Sequence, residues 1–302
     1  MSLLIVGSLA FDSVETPFGK IENALGGAAT YISLAASFFT PNVRLVGVVG
    51  SDFPQSAFEL FKKNKIDTEG IEIIEGGKTF RWSGRYHKNM NDRDSLSTEL
   101  NVFEKFSPKL PQNYINSDFV CVGNIEPSLQ RLVIEQAKNP KMIVGDTMNF
   151  WITGRKEELL KTIKKLDLFF INDTEAQLLA DDDNLIRCGK KILQLGPKNL
   201  VIKKGEHGAM LFCGDQFFST VALPLEKIVD PTGAGDCFAG GFIGHIAKTG
   251  DTSFENLKRA VLYGSVMASF CVEHFSIDGL LDLDSEKIEE RFNKLKNISQ
   301  VN

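Results

Sequence analysis

The sequence predicts an α/β protein in which a doubly wound, mostly parallel sheet carries helices on both faces and a small β-lid projects from it. Two observations predict this class. Short β-rich runs that are almost continuously apolar recur with helix-compatible stretches between them, as expected of parallel strands covered on both faces. One segment, residues 76–106, instead alternates polar and apolar residues, which predicts strands with one exposed face.

Six apolar runs are the predicted strands of the main sheet: Leu3 to Val6, Val43 to Val49, Phe119 to Val122, Met142 to Val144, Leu168 to Ile171 and Asn199 to Ile202. The stretches between them predict helices: Ala28 to Phe39, Gln55 to Asn64, Pro127 to Lys138, Lys156 to Lys165, Thr174 to Leu179 and Leu185 to Leu195. The last third of the chain predicts three more: Ala234 to Lys248, Phe254 to Phe275 and Ser285 to Leu295. A polar tail follows, and we expect it to fray.

The alternating segment predicts a β-hairpin. Phe80, Trp82 and Tyr86 share one parity, and a polar loop separates them from a second run of the same period: Leu96, Thr98, Leu100 and Val102. The segment from Phe11 to Asn23 is a plausible further pair of strands. We therefore expect a discontinuous lid of approximately residues 11–24 and 76–106.

Length and composition favour one folded domain spanning residues 1–302. The 302 residues are 43% apolar and 24% charged, as in ordinary globular chains. Such a length allows two modest domains or one large α/β unit. Because no internal repeat or low-complexity linker interrupts the chain, the single unit is the prediction.

Charge and termini limit the partners. Lys and Arg number 34 against 39 Asp and Glu, a net charge of −5, so we expect neither a nucleic-acid nor an anionic-membrane surface. The amino terminus has no secretory pattern, and no apolar run reaches the roughly 20 residues that span a bilayer. Five widely spaced cysteines without a CxxC pair favour reduced thiols. These features predict a cytoplasmic protein with a small-molecule substrate.

The most informative run is DPTGAGDCFAGGF, from Asp230 to Phe242, between an apolar run and a predicted helix. Gly233, Ala234 and Gly235 let a ligand approach the backbone, and the helix that follows directs free N–H groups at the same point, which predicts an anion site. Asp236 lies beside it, where a carboxylate can accept the proton of an attacking hydroxyl. A helix-capping Asp after a glycine turn is the structural alternative.

Residues 230–242 resemble the C-terminal signature of the ribokinase-like (PfkB-type) carbohydrate and nucleoside kinases, and the resemblance extends over essentially the whole chain. It implies ATP-dependent phosphorylation of a hydroxymethyl group on a sugar or ribonucleoside, with Mg²⁺. It also implies that Asp236 is the general base. Gly233, Ala234 and Gly235 would then form the anion hole.

The resemblance also implies an acceptor site. Asp12, after the first strand, matches an acid that binds substrate hydroxyls, although an ordinary turn Asp is the alternative. Gly26 and Gly27 match a Gly-Gly element that lets a sugar ring lie close. Tyr31 stands where the family commonly has Asn, so a ring able to stack replaces an amide. Glu126 matches a substrate-side acid of some members only loosely.

A nucleotide site is implied further along the chain. The run from Asn172 to Glu175 resembles an Asn-x-x-Glu element at the phosphate end of ATP, where Glu175 would bind Mg²⁺ partly through water. First-turn acids of an ordinary helix are the alternative. Lys203, Gly205 and Gly208 resemble the segment that touches the nucleotide; for the lysine, a plain surface position is the alternative.

Two further expectations follow from relatives of this family. Asp230 and Thr232 resemble positions that hold a monovalent cation, which would be K⁺. The lid hairpin, if it exposes an apolar face, would pair two chains into a homodimer.

Three functions remain open from the sequence. A nucleoside acceptor is favoured over a free sugar by Tyr31 and by the lid aromatics Phe80, Trp82 and Tyr86, since a base offers a flat face. A kinase of a sugar phosphate would need basic residues near the acceptor, and three lid arginines leave this open: Arg81, Arg85 and Arg93. A non-catalytic nucleotide or sugar sensor on the same fold is the third, which the intact Asp236 argues against.

Overall fold

Two β-sheets form the framework of the computed structural model, which describes residues 1–298. The larger sheet has nine strands: β1 (Leu3–Val6), β4 (Val43–Gly50), β5 (Ile66–Ile74), β8 (Phe119–Val122), β9 (Met142–Gly145), β10 (Leu168–Asn172), β11 (Asn199–Lys203), β12 (Ala209–Cys213) and β13 (Gln216–Thr220). The smaller has four: β2 (Ala10–Thr16), β3 (Gly19–Gly26), β6 (Phe80–Tyr86) and β7 (Arg93–Glu99). The end of the polar tail, residues 299–302, lies outside the described residues.

Eleven α-helices are found in the described part of the chain: α1 (Ala28–Ser37), α2 (Gln55–Lys63), α3 (Pro127–Gln136), α4 (Asn149–Gly154), α5 (Lys156–Ile163), α6 (Asp173–Ala180), α7 (Leu185–Leu193), α8 (Ala234–Thr249), α9 (Phe254–Cys271), α10 (Asp278–Leu281) and α11 (Ser285–Asn297). Side-chain caps start several of them. Asn184 accepts from two N–H groups of α7, and Ser253 accepts from one of α9. Within residues 1–298, no helix is both long and apolar enough to cross a membrane.

The larger sheet runs in the order β13-β12-β11-β10-β9-β8-β1-β4-β5. Every neighbouring pair from β11 to β5 is parallel, whereas β12 and β13 are antiparallel additions at one edge. The six strands predicted from apolar runs are confirmed, each starting where predicted and ending at most one residue later. The sequence reasoning missed the two edge strands β5 and β13 and also β12, which pairs with β13.

Both faces of the larger sheet are covered by helices. Leu3 and Ile5 of β1 pack into one core with α1, α8 and α9, while Leu4 and Val6 pack into a second core with α3, α5, α6 and α7. Successive residues of a strand point to opposite faces, so this division shows that the sheet is buried on both sides. The doubly wound prediction is confirmed.

The smaller sheet has the order β3-β2-β6-β7, and β2 pairs in parallel with β6 so that Asp12 lies beside Trp82. Both predicted lid segments contribute to it. The alternation does not continue as a strand to Val102, because β7 ends at Glu99 and residues 101–105 form a 3₁₀ turn. In that turn Phe103 stacks between Phe80 and Phe106, with ring centroids 5.4 Å apart in each pair.

Candidate active site

Most of the candidate residues lie at one edge of the larger sheet, where its parallel strands end. Asn172 is the last residue of β10, Lys203 is the last of β11, and Asp146 follows β9 directly. Asp12 belongs to β2, which begins shortly after β1 ends. Because parallel strands end at the same edge, the chain order alone brings polar groups from four strands together there. Ligands of open α/β sheets bind at this carboxyl edge.

The glycine-rich run forms the start of α8, as predicted. Gly233 is the residue before the helix and has φ +77°, a backbone conformation that glycine adopts without strain. Gly235 and Asp236 lie in the first turn, and among residues 1–298 their N–H groups have no hydrogen-bond partner. Together with the positive end of the helix dipole, these groups are suited to bind an anion, and we refer to this turn as the anion site.

The Tyr31 ring packs against Gly233 of this turn. Its side chain is only 2% exposed, and a Cβ on Gly233 would lie 2.6 Å from its ring. No face of the ring is open to a base, so the structure contradicts a stacking role for Tyr31. A close packing contact between α1 and the anion site explains the tyrosine instead.

Asp236 has an unusual electrostatic environment. Burial raises its pKa to about 7, the nearby Asp146 carboxylate adds to the increase, and Lys203 and Arg93 oppose it. A carboxyl with a pKa near neutrality can exchange a proton at physiological pH, as a general base must. Asp236 thus combines a proton-accepting group with an adjacent anion site.

Asp12 is a second buried carboxyl, with 6% of its surface exposed. Burial raises its pKa to about 7; a hydrogen bond from the Gly27 backbone opposes this, while the charges of Asp230 and Asp236 add to it. Gly26 touches the same carboxylate, since a Cβ there would lie 2.0 Å from Asp12 Oδ2. The Gly-Gly element thus leaves room for this carboxylate.

Asp146 and Lys203 form an ion pair across the end of β10. Lys203 Nζ lies 2.6 Å from Asp146 Oδ2, with the side chains 15% and 8% exposed, respectively. Burial alone lowers the pKa of Lys203, but the neighbouring carboxylates, Asp146 foremost and then Glu175 and Asp236, together raise it above its usual value. The ammonium group also lies 3.0 Å from the Cβ position of Gly235, so it faces the anion site.

Asn172 and Glu175 form a capping box at the start of α6. The Asn172 side chain accepts from the Glu175 N–H at 2.8 Å, and the Glu175 carboxylate accepts from the Asn172 N–H at 3.0 Å. Burial raises the pKa of Glu175 to about 7, and Asp146 adds to this increase. Within residues 1–298, no three His, Cys, Asp or Glu side chains group as a metal site. A protein contribution to Mg²⁺ would therefore be one carboxylate, with phosphates and water supplying the other ligands.

These three carboxyls predict an unusual pH dependence of stability. The pKa values of Asp12, Glu175 and Asp236 are about 7 in the fold, against ordinary values near 4. The folded state therefore binds more protons than the unfolded state between about pH 4 and 7, and their contribution to the free energy of unfolding falls as pH rises through 7. We expect the melting temperature of the ligand-free protein to be about 5 °C higher at pH 5.5 than at pH 8 by calorimetry. An equal or higher value at pH 8 would contradict it.

The remaining residues that were predicted to contact the nucleotide, Gly205 and Gly208, differ in their exposure. Gly205 is exposed, and its Cβ position faces Asn91 of the smaller sheet's loop at 3.6 Å. Gly208 is buried, and a Cβ there would lie 2.0 Å from the carbonyl oxygen of Thr220. Tight packing next to β13 explains a glycine at position 208, and its contact with the nucleotide remains a prediction. Glu126 precedes α3 at the same sheet edge and is not among the groups that shift the pKa of Asp12 or Asp236.

Asp230 and Thr232 have observed structural partners. The Asp230 carboxylate accepts from the backbone N–H of Thr232 at 2.9 Å and of Ser276 at 3.3 Å. The Thr232 carbonyl oxygen accepts from the Cys271 thiol at 3.4 Å. These contacts hold the loop that leads into the anion site. The expected cation site remains a prediction.

Sequence reasoning missed Asp146 and considered Arg93 only as one of three lid arginines. Asp146 had a signal, because it comes two residues after a predicted buried strand, but turn acids are common at that position. Arg93, on β7, lies in a polar run without any pattern. Its charge lowers the pKa values of Asp12, Glu175 and Asp236 alike.

Comparison with known proteins defines the class. Residues 4–281 match the model of the pfkB family of carbohydrate kinases, and the chain belongs to that family. It is 27% identical over 248 residues to a cytidine kinase of Thermococcus kodakarensis, covering 80% of this chain and 87% of that protein. It is 25% identical over 268 residues to a nucleoside kinase of Methanocaldococcus jannaschii, covering 86% and 82%. The crystal structure of the Methanocaldococcus jannaschii nucleoside kinase superposes with a TM-score of 0.77 at 21% identity, covering 97% of this chain and 99% of that one.

Proposed function

We propose that this protein transfers the terminal phosphoryl group of ATP to a hydroxymethyl group of a ribonucleoside. The observation that carries the proposal is the pairing of Asp236 with the unpartnered N–H groups of the same helix turn. A base and an anion site that share one turn suit the transfer of a phosphoryl group to a hydroxyl. Similarity to a cytidine kinase and a nucleoside kinase supports the substrate class.

In the proposed mechanism Asp12 binds acceptor hydroxyls and so directs the hydroxymethyl group toward Asp236. Asp236 accepts the hydroxyl proton as the oxygen attacks, and the N–H groups of Gly235 and Asp236 stabilise negative charge on the transferred phosphoryl group. Glu175 would hold Mg²⁺, partly through water, and the ion would offset the charge of the phosphate oxygens. The smaller sheet, which we interpret as a lid, excludes water that would otherwise compete as acceptor.

The geometry of β6 supports a nucleoside over a free sugar. Trp82 lies beside Asp12 in register, and its ring covers Gly84, whose Cβ position is 2.2 Å from the ring edge. Tyr86, two residues beyond Gly84, touches Thr232 near the anion site at 3.3 Å, so this side of the strand faces the cleft. A partly exposed indole on the same face of the smaller sheet as the Asp12 carboxylate is suited to stack on a base.

The test measures ADP release from MgATP with nucleosides, pentoses, hexoses and hexose phosphates as acceptors. We expect the highest kcat/KM for a nucleoside. Trp82→Ala should raise the KM for that nucleoside about tenfold, because stacking on a base is worth roughly 1–3 kcal/mol. Trp82→Phe should retain most of the affinity.

The matched control is Phe18→Ala, which removes an aromatic that is 52% exposed at the turn of β2 and β3. This variant should leave the KM unchanged. Turnover of free sugars alone would overturn the nucleoside assignment, and tight ATP binding without turnover of any acceptor would favour a sensor.

A sugar phosphate is the second candidate acceptor, and Arg93 is the observation that favours it. Arg81 and Arg85 pair with Asp52 at 2.9 Å and Glu15 at 3.0 Å. Within residues 1–298 Arg93 has no such carboxylate pair, and it lies over the Trp82 ring with its guanidinium carbon 5.6 Å from the ring centre. Turnover of hexose phosphates in the same panel would support this candidate.

Three finer expectations belong to the proposal. K⁺ would bind at the loop of Asp230 and Thr232, two chains would pair through their lids, and the protein would act in the cytoplasm. Sedimentation that shows only monomer at micromolar concentration would contradict the dimer. Equal turnover in sodium and potassium salts would contradict a specific need for K⁺.

A further inference from the structure

The ion pair of Asp146 and Lys203 lies in the cleft, but neither residue has a role in the proposed phosphoryl transfer so far. Lys203 could extend from β11 toward solvent, as lysines at strand ends commonly do. Its ammonium group instead crosses β10, lies 5.9 Å from the centre of the Phe170 ring and meets Asp146 at 2.6 Å. In this position it lies 3.0 Å from the Cβ position of Gly235.

Asp146 is itself held firmly. Its Oδ1 accepts from the Thr147 N–H at 2.8 Å, which orients the carboxylate. Its carbonyl oxygen accepts from Gln130 Nε2 at 2.9 Å, and the same nitrogen donates to the Gly123 carbonyl oxygen at 2.8 Å. Gln130 is buried and joins the ends of β8 and β9. The carboxylate therefore presents a fixed acceptor to a flexible lysine.

We propose that Asp146 is a positioning residue that holds the Lys203 ammonium group at the first turn of α8, where it stabilises the phosphoryl group in transfer. Without Asp146, the long side chain of Lys203 would sample many rotamers, and the cation would be at the anion site only part of the time. With it, the charge is in place before the phosphates arrive, so no reorganisation is needed during transfer. This inference rests on the proposed kinase function.

A double-mutant cycle tests the inference. Asp146→Ala and Lys203→Met should each lower kcat about 10²-fold, with the acceptor KM changed less than about threefold, since a misplaced or missing cation acts on the transition state. Because Asp146 acts through Lys203, the double variant should be no slower than Lys203→Met alone. Additive losses, about 10⁴-fold together, would overturn the proposal. So would a raised acceptor KM with an intact kcat.

Asp167→Ala is the matched control. Asp167 pairs with Lys198 at 2.7 Å just before β10 and β11, at the opposite end of the same strands as the Asp146 pair. This variant loses an ion pair without approaching the cleft, so its kcat should equal that of the wild type. If Asp146→Ala fails to fold, Asp146→Asn, which keeps the volume but not the charge, replaces it in the cycle.

A crystal structure of ligand-free Asp146→Ala separates this inference from the proposed function. We expect Lys203 Nζ to leave the first turn of α8 in the variant and to occupy it in the wild type. If the wild type phosphorylates no acceptor, the kinase proposal fails, and the position of Nζ still decides whether Asp146 places the lysine. An unmoved Nζ in the variant would overturn the positioning role.

Discussion

Asp236→Asn is expected to lower kcat by at least about 10²-fold while ATP binds nearly as in the wild type. Asparagine keeps the size of the side chain but cannot accept the hydroxyl proton. The backbone N–H groups of the first turn of α8 remain, so the anion site should still bind the nucleotide. Stopped turnover with retained binding is the mark of a group that acts in the transition state.

Steady-state kinetics and calorimetric titration with ATP measure the two effects. Glu255→Gln is the control, because Glu255 is an acid in the first turn of α9 with its side chain 78% exposed. Helix α9 runs antiparallel to α8, so this residue lies at the far end of the pair from the cleft. The control should keep full activity. If Asp236→Asn retained a tenth of the wild-type rate, Asp236 would be a helix-terminal acid and the base would lie elsewhere.

The sequence predicted the framework well because buried parallel strands leave a strong signal. All six apolar runs became strands, since burial on both faces demands continuous apolar residues. The missed strands lie at or next to the edges of the sheet, where continuous apolar residues are not required. Edge strand β5 contains Asp67, Glu69 and Glu72 and pairs on one side only, whereas β12 and β13 form a hairpin around Gly214 and Asp215. A short Gly-Asp turn between two apolar runs was an available signal for this hairpin.

The candidate site was predictable in its members but not in its interactions. A strand-end position identified Asp12, and the glycine-rich run with its family resemblance identified Asp236. The fact that Lys203 crosses β10 to reach Asp146 depends on side-chain packing, which local pattern does not encode. Tyr31 shows the limit most clearly. A ring that replaces an amide suggested stacking, but only the packing of α1 against Gly233 reveals that the ring is buried.

Asp12→Asn is expected to change activity and stability in opposite directions. The acceptor kcat/KM should fall about 10²-fold, because a carboxylate that accepts from two hydroxyls is replaced by a weaker acceptor. The melting temperature of the ligand-free protein at pH 8 should rise. The raised pKa of Asp12 means that the fold penalises the charged carboxylate, and asparagine removes the penalty.

Kinetics and calorimetry on the same preparation decide the outcome, and Asp118→Asn is the control. A hydrogen bond from the Ser2 backbone lowers the pKa of Asp118, so this carboxylate contributes stability above pH 4, and the contribution is lost as pH falls through that lowered value. Asp118→Asn should therefore lower the melting temperature at pH 8 and leave kinetics unchanged. If Asp12→Asn lost stability as well as activity, Asp12 would be a structural turn acid. A gain in stability with a loss of activity would instead show that the Asp12 carboxylate serves acceptor binding, because its burial in the charged form destabilises the fold.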